Sequence, residues 1–246
     1  DEGDRYSEVN KAAKVAEKAG LKHHVKIISK QEFWDALPDV MYHMDEPLAD
    51  ASAVALYFLS KEAAGHVKVV LSGEGADELF GGYNIYREPE SLKKIDWIPF
   101  GVRRVIGKLA AKLPDVKGRD FLIRAGMKVE ERFIGNAYIY REKEKAQILK
   151  NKVTGPSTQE YLRPFFEELE SENRGLLQDM EKMQSVDLRY WLPGDILQKA
   201  DKMSMAHSLE VRVPFLDKEV FDFAAKLPKE AKIAAGTTKY IFRKAV

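Results

Sequence analysis

The sequence predicts an α/β chain, with a partial parallel sheet near the N-terminus and a large helical portion packed against it. Two short β-branched runs, His24 to Ile28 and Val67 to Leu71, alternate with helical periodicities in the first part of the chain. That order is the one that builds parallel sheets. Beyond Tyr83 the pattern changes, and no strand is expected from about Leu92 to Lys244. Hydrophobic residues make up 45% of the 246 positions, enough for one large domain or a core with an appended subdomain. The chain is therefore read as an α/β portion over 1–90 and a helical portion of the same domain over 91–246.

Each element has its own signal. Tyr6, Val9, Ala13 and Ala16 recur at helical spacing, and Gly20 stands where a glycine ends a helix. His24 to Ile28 reads as a buried strand. Ser29 and Glu32 form a capping-box pattern, and Phe33, Ala36, Leu37, Val40 and Met41 continue it at helical spacing. A further helix is expected from Ala51 to about Ala64, with Asp50 as N-cap and Gly65 as its stop. Val67 to Leu71 reads as a fully buried strand. Trp97-Ile98-Pro99-Phe100 and Thr154-Gly155-Pro156-Ser157 break the helical portion, and Asp217 resembles an N-cap with Leu216 and Phe221 placed as a hydrophobic staple.

Bulk properties narrow the function classes. With 40 basic and 39 acidic residues the net charge is +1, so no global field draws in nucleic acid or an anionic membrane. No basic stripe with interleaved aromatics is present. No cysteine occurs, which removes disulfides, thiolate metal sites and a cysteine nucleophile. Its absence fits a reducing compartment, and a cytoplasmic location is expected. No apolar run approaches the ~20 residues that span a bilayer. The acidic start, Asp1-Glu2-Gly3-Asp4-Arg5, is unlike a signal peptide. His23, His24, His43 and His66 show no metal-ligand spacing and read as ordinary, His207 reads as a packing residue, and Trp34, Trp97 and Trp191 read as core or subdomain contacts.

The chemistry concentrates in Val69-Val70-Leu71-Ser72-Gly73-Glu74-Gly75-Ala76-Asp77-Glu78-Leu79-Phe80-Gly81-Gly82-Tyr83. A strand ends at Ser72, two glycines bracket one carboxylate, and two more acids follow. In open α/β sheets ligands bind beyond the carboxyl ends of strands. Gly73 and Gly75 would let the backbone approach a ligand and offer N–H donors. Acids beside a phosphate site make sense when Mg²⁺ intervenes, and Glu74, held between glycines, could accept a proton from an attacking amine. The plainer reading is a strand-to-loop turn whose acids face water.

Leu71-Ser72-Gly73-Glu74-Gly75-Ala76-Asp77-Glu78 followed by Phe80-Gly81-Gly82-Tyr83 closely resembles the signature of the asparagine synthetase family. Asp45-Glu46-Pro47 lies upstream where the family often has it. Downstream, Asp201-Lys202-Met203-Ser204-Met205-Ala206 leads into Leu209-Glu210-Val211-Arg212-Val213-Pro214-Phe215-Leu216-Asp217, resembling a second signature. Gly236-Thr237-Thr238-Lys239-Tyr240-Ile241-Phe242-Arg243 resembles the family's lysine-bearing helix start. These anchors run from Asp45 to Arg243 in the expected order, with only about 90 to 180 unremarkable.

The resemblance implies a sheet of the adenine nucleotide alpha-hydrolase-like (PP-loop ATP pyrophosphatase) type, with 1–90 as its partial nucleotide-binding portion. It implies a ligase that adenylates the aspartate side chain with MgATP, releases pyrophosphate, and lets ammonia attack the β-aspartyl-AMP. An N-terminal glutaminase domain with a cysteine nucleophile would supply that ammonia from glutamine. Carried over by motif, Ser72 and Gly73 contact the nucleotide, Glu74 is the catalytic acid and base, and Asp77 faces Mg²⁺ and pyrophosphate. Lys239 stabilises charge on pyrophosphate and the intermediate, a task suited to a compact ammonium. Lys199 pairs with the aspartate α-carboxylate, or is a solvated surface lysine. Glu210 and Arg212 are expected to satisfy each other or nearby backbone. A homodimer is a compatible assembly.

The sequence departs from the family in one respect. The Ser-Gly-Gly-x-Asp-Ser pyrophosphate loop is not found, so the chain is expected to begin about two strands into the domain, to bind ATP weakly and to be inactive alone. An unprotected sheet edge would follow. The alternative is that upstream residues belong to a longer molecule. Competing readings are a related amide- or lactam-forming synthetase with another carboxylate substrate, and a non-catalytic scaffold derived from the family. In β-lactam-forming relatives a tyrosine–glutamate pair is the base, and nothing in the sequence places such a tyrosine.

Overall fold

Helix dominates the computed structural model, about 65% of it, with a small parallel sheet. The structure describes residues 8–46, 50–136, 140, 142–151 and 155–245. Tyr6, Pro47 and Thr154 fall outside that set. Two compact units divide the chain: Asp1–Val70 with Lys199–Arg212, and Leu71–Gln198 with Val213–Val246.

In the first unit, the helix Val9–Lys18 ends as expected. Leu21 N–H bonds the Ala16 carbonyl at 2.8 Å and Gly20 N–H bonds that of Glu17 at 3.1 Å, a Schellman closure with Gly20 at positive φ. The helix Lys30–Met44 opens with the expected capping box: Ser29 Oγ accepts from Glu32 N–H at 3.2 Å, and the Glu32 carboxylate accepts from Ser29 N–H at 2.8 Å. The helix Ser52–Ala64 ends at Gly65. Asp50 caps its start as anticipated, since Ser52 N–H donates to Asp50 Oδ1 at 2.8 Å. Ala36, Val40 and Met44 pack on Ala53, Val54, Tyr57 and Met203, joining the two helices to the helix Gln198–Met205.

The strands differ from expectation. Residues 24–28 form no strand and are mostly exposed, because among the described residues no neighbouring backbone completes a ladder for them. β1 is Val69–Leu71 and pairs with β2, Glu210–Arg212, with Glu210 N–H reaching the Lys68 carbonyl at 2.9 Å. β1 is shorter than expected and not fully buried: Val69 is 40% exposed and Leu71 73%. β2 lies in a stretch where no strand was expected. Three residues with two charged outward positions are too few to show an alternation above chance.

In the second unit, the breaks at 97–100 and 155–157 are as expected. The helix Phe100–Ala110 follows Pro99, and the helix Thr158–Glu172 starts from a Ser157–Glu160 capping box. Its main core joins Tyr86, Val129, Phe133, Leu162, Phe166, Met180, Met183, Val186 and Ile233. Asp217 caps the helix Lys218–Lys226, its carboxylate accepting Glu219 N–H at 2.9 Å. Leu216 packs into a smaller cluster with Leu79, Phe80 and Ala224, whereas its staple partner Phe221 remains 38% exposed. Residues Asp187–Leu197 form a π-helix that contains Pro193, a departure from α geometry that often accompanies functional sites.

Candidate functional site

The turn after β1 is built by its glycines. Gly73 is exposed, and a Cβ there would meet nothing within 4 Å, so the backbone at this point faces open space. Gly75 has φ +87 and precedes the short helix Ala76–Phe80. A Cβ at 75 would run into the Leu216 side chain, 2.7 Å from its Cγ. Only glycine satisfies both the left-handed backbone and that close packing. Ser72, Glu74 and Asp77 are all half-buried on this segment.

Asp77 meets Lys239, the two residues that the sequence reading placed at the phosphate end of a site. Lys239 Nζ lies 2.9 Å from Asp77 Oδ2. A tight reversal aims the lysine: Ala234 and Thr237 exchange backbone hydrogen bonds at 3.2 and 2.8 Å around Ala235 and Gly236, both at positive φ. Lys239 itself has φ +50 and precedes the helix Tyr240–Ala245. A left-handed non-glycine residue carries strain that the surrounding structure must hold. Gly82 makes room for the pair, since a Cβ there would overlap the Asp77 carboxylate and come against Lys239 Cε.

Behind this pair lies a buried polar layer that sequence reasoning missed. Glu78 is 1% exposed. It accepts a hydrogen bond from the Tyr83 hydroxyl at 2.8 Å, and Trp191 Nε1 donates to Tyr83 Oη at 3.3 Å. Gln184 Nε2 donates to the Glu78 backbone carbonyl. Burial raises the Glu78 carboxyl above the usual range, partly offset by Tyr83, and burial also pushes the Tyr83 phenol up. Farther in, Asp187 is fully buried and accepts from Tyr86 Oη at 2.6 Å, Asn136 N–H at 3.0 Å and Asn136 Nδ2 at 2.7 Å. Burial outweighs these donors and lifts the Asp187 carboxyl to about 6. Trp191 read as a core or subdomain contact because spacing does not show that its indole N–H has a polar partner.

Lys199 belongs to the other unit, where it is 5% exposed and paired with Asp50. The alternative of a solvated surface lysine is thereby corrected: the helix Gln198–Met205 turns this residue inward. Burial pushes the Asp50 carboxyl up, but Lys199 and the Ser52 donors more than compensate, leaving it below the normal value. Asp45, from the upstream acidic motif, pairs with Lys202, which holds its carboxyl low. Glu210 and Arg212 satisfy each other as anticipated, at 2.8 Å. His207 packs on the Tyr57 ring, centroids 4.4 Å apart, and burial lowers its pKa.

Comparison with known proteins gives a concordant result. Asparagine synthetase [glutamine-hydrolyzing] 1 of Bacillus subtilis (strain 168) is 49% identical over 241 residues, covering 98% of this chain and 37% of the relative. A relative from Mycobacterium tuberculosis (strain ATCC 25618 / H37Rv) is 45% identical over 246 residues, covering 100% of this chain and 37% of its own length. Asparagine synthetase B [glutamine-hydrolyzing] of Escherichia coli (strain K12) is 36% identical over 87 residues, 34% of this chain and 16% of the relative. The chain thus spans little more than a third of the relatives that match it throughout. A family model described as asparagine synthase matches residues 1–246, and the chain belongs to that family.

Proposed function

We propose that this chain is part of the synthetase portion of a glutamine-hydrolysing asparagine synthetase, a ligase that amidates the aspartate side chain at the expense of ATP. The observation that carries the reading is the Asp77–Lys239 pair at 2.9 Å, with Asp77 in the first turn of the helix that follows the Ser72–Gly75 turn. A carboxylate and an ammonium at the edge of an open backbone turn form a donor set suited to a magnesium–polyphosphate group. Mg²⁺ uses one or two carboxylates and completes its shell with phosphate oxygens and water. Asp77 is 37% exposed on its side chain, so one carboxylate edge is open to such a role. Bound there, Mg²⁺ would supply neutralisation of phosphate charge.

The roles of the chain's own residues follow. Ser72 and the exposed Gly73 backbone contact the nucleotide. An aspartate side-chain oxygen attacks the α-phosphorus, and the bond to pyrophosphate breaks, with Lys239 stabilising the departing charge. Ammonia then attacks the β-aspartyl-AMP carbonyl carbon, AMP leaves with the former carboxylate oxygen, and Glu74 takes a proton from the attacking nitrogen. Lys199 would exchange its Asp50 contact for the aspartate α-carboxylate. The sheet is assigned to the PP-loop ATP pyrophosphatase type, with 1–90 serving nucleotide binding and 91–246 supporting it. The remaining partners, a glutaminase domain that supplies ammonia and a second subunit, would belong to the whole protein, with a cytoplasmic setting expected.

A second reading has one observation in its favour. The Tyr83–Glu78 hydrogen bond is the kind of tyrosine–glutamate pair that lactam-forming relatives use as a base. Glu78 is 1% exposed, however, and Tyr83 is held by Trp191, which suits a support for the turn better than a group that meets substrate. Pyrophosphate–ATP exchange by the full-length protein decides between the readings. Exchange that depends on aspartate supports the proposal. Exchange with another carboxylic acid and none with aspartate replaces it with the second reading.

A further inference from the structure

His24, Glu62 and His66 come together on the surface of the first unit, and none of them has a role in the function proposed above. Sequence spacing showed no metal pattern there, because the three come from two separated segments. Glu62 lies in the last turn of the helix Ser52–Ala64 and His66 follows one turn later, just past Gly65. His24 comes from the irregular segment that precedes the helix Lys30–Met44. Glu62 Oε1 lies 3.4 Å from His66 Nε2 and 3.8 Å from His24 Nδ1. The imidazole centroids are 4.3 Å apart, and one ligand atom from each residue falls within 4.8 Å of the others.

We infer that His24 Nδ1, His66 Nε2 and Glu62 form a binding site for a divalent transition-metal ion, Zn²⁺ being the representative. Tetrahedral Zn²⁺ with bonds of about 2.0–2.2 Å holds its ligand atoms roughly 3.3 Å apart. The two glutamate–histidine separations already approach that spacing, and the remaining adjustment falls to exposed side chains. Two imidazoles with one carboxylate select zinc, copper or nickel over Mg²⁺. Glu62 and His66 are brought together across the turn that closes the helix, where His66 N–H bonds the Ala63 carbonyl at 2.9 Å, and His24 adds a third ligand from a separate segment. The fourth position faces solvent. Occupancy would fasten residues 22–28, which form no regular element, to the end of the helix that leads into β1.

Calorimetric titration of the purified full-length protein with Zn²⁺, in excess Mg²⁺ to mask carboxylate sites, tests this site. One high-affinity equivalent is expected, and Co²⁺ should give the visible d–d absorption of a tetrahedral N/O site. His24→Ala and His66→Ala should each weaken binding by at least the ~10–100-fold that loss of even an outer partner of a metal ligand costs. Glu62→Gln should do the same while keeping side-chain shape, and His23→Ala and His43→Ala should change nothing. Zn²⁺ should also slow amide exchange in residues 22–28. The assignment is overturned if no Zn²⁺ binds under these conditions. It is equally overturned if His24→Ala and His66→Ala bind as the parent does, or if His23→Ala removes the site.

Discussion

Replacing Gly75 by alanine tests the construction of the turn that carries Glu74. Two costs are readable from the structure. An L-residue at φ +87 carries about 1–2 kcal/mol of backbone strain. The new methyl would also overlap Leu216, an overpacking typically worth about 1–3 kcal/mol. Their sum predicts a loss of roughly 2–5 kcal/mol in denaturant unfolding, seen as a lower midpoint at constant slope. A double-mutant cycle separates the parts. Leu216→Ala removes the overlap and leaves the strain, so Leu216→Ala should cost about 1–3 kcal/mol less in the Gly75→Ala background than alone. Because Glu74 precedes this residue, a displacement of ~1 Å should also lower ligase activity by about a hundredfold. A Gly75→Ala protein within about 0.5 kcal/mol of the parent, with activity intact, would refute the reasoning.

Three further outcomes are expected. Lys239→Ala breaks a partly exposed ion pair, so unfolding should shift by no more than ~1 kcal/mol while the rate of pyrophosphate release falls by about 10²–10³; equal losses of stability and activity would argue for a structural lysine. The Asp187 carboxyl is lifted to about 6 in the folded protein, so the folded state holds an extra proton between its normal range near 4 and about 6. Stability is therefore greatest below that window and falls as pH rises through it, by about 3 kcal/mol from this residue. Asp187→Asn should flatten that dependence in pH-resolved unfolding, although it places an amide donor against Asn136 and lowers stability throughout. Lys199→Ala leaves Asp50 without its cation and should cost toward the lower end of ~3–5 kcal/mol; Lys199→Met, which keeps the buried stem, should cost less in the same thermal-unfolding measurement.

Local signals were legible wherever a side chain acts on its own backbone. Ser29, Asp50 and Asp217 cap helices as their positions suggested, because a capping oxygen needs only a neighbour two or three residues away. The signature segment was legible as a strand ending in a turn, because Gly73 and Gly75 stop the β-branched run, whereas its ligand role came from the family resemblance and not from the glycines. What escaped depends on distant partners. His24 to Ile28 has the composition of a strand, yet a strand exists only when another backbone completes its ladder. β2 has too few residues for any period to show. The Glu78–Tyr83–Trp191 and Tyr86–Asp187–Asn136 groups join residues from separated parts of the chain, and no spacing rule connects them. For Lys199 a substrate contact and a solvated surface lysine stayed open in the sequence, because only tertiary packing reveals that its helix face turns toward Asp50.

The account rests on Glu74 as the group that handles the proton when ammonia attacks. The most direct measurement is asparagine formation from aspartate, MgATP and ammonia by the full-length protein, with Glu74→Ala measured in parallel. Ammonia as the nitrogen source isolates this half of the reaction from glutamine hydrolysis. The account predicts product from the parent protein and a loss of about 10² or more in the variant, with unfolding behaviour unchanged. Asparagine production by Glu74→Ala at the parent rate, or a parent protein that consumes no ATP when given aspartate, would contradict it.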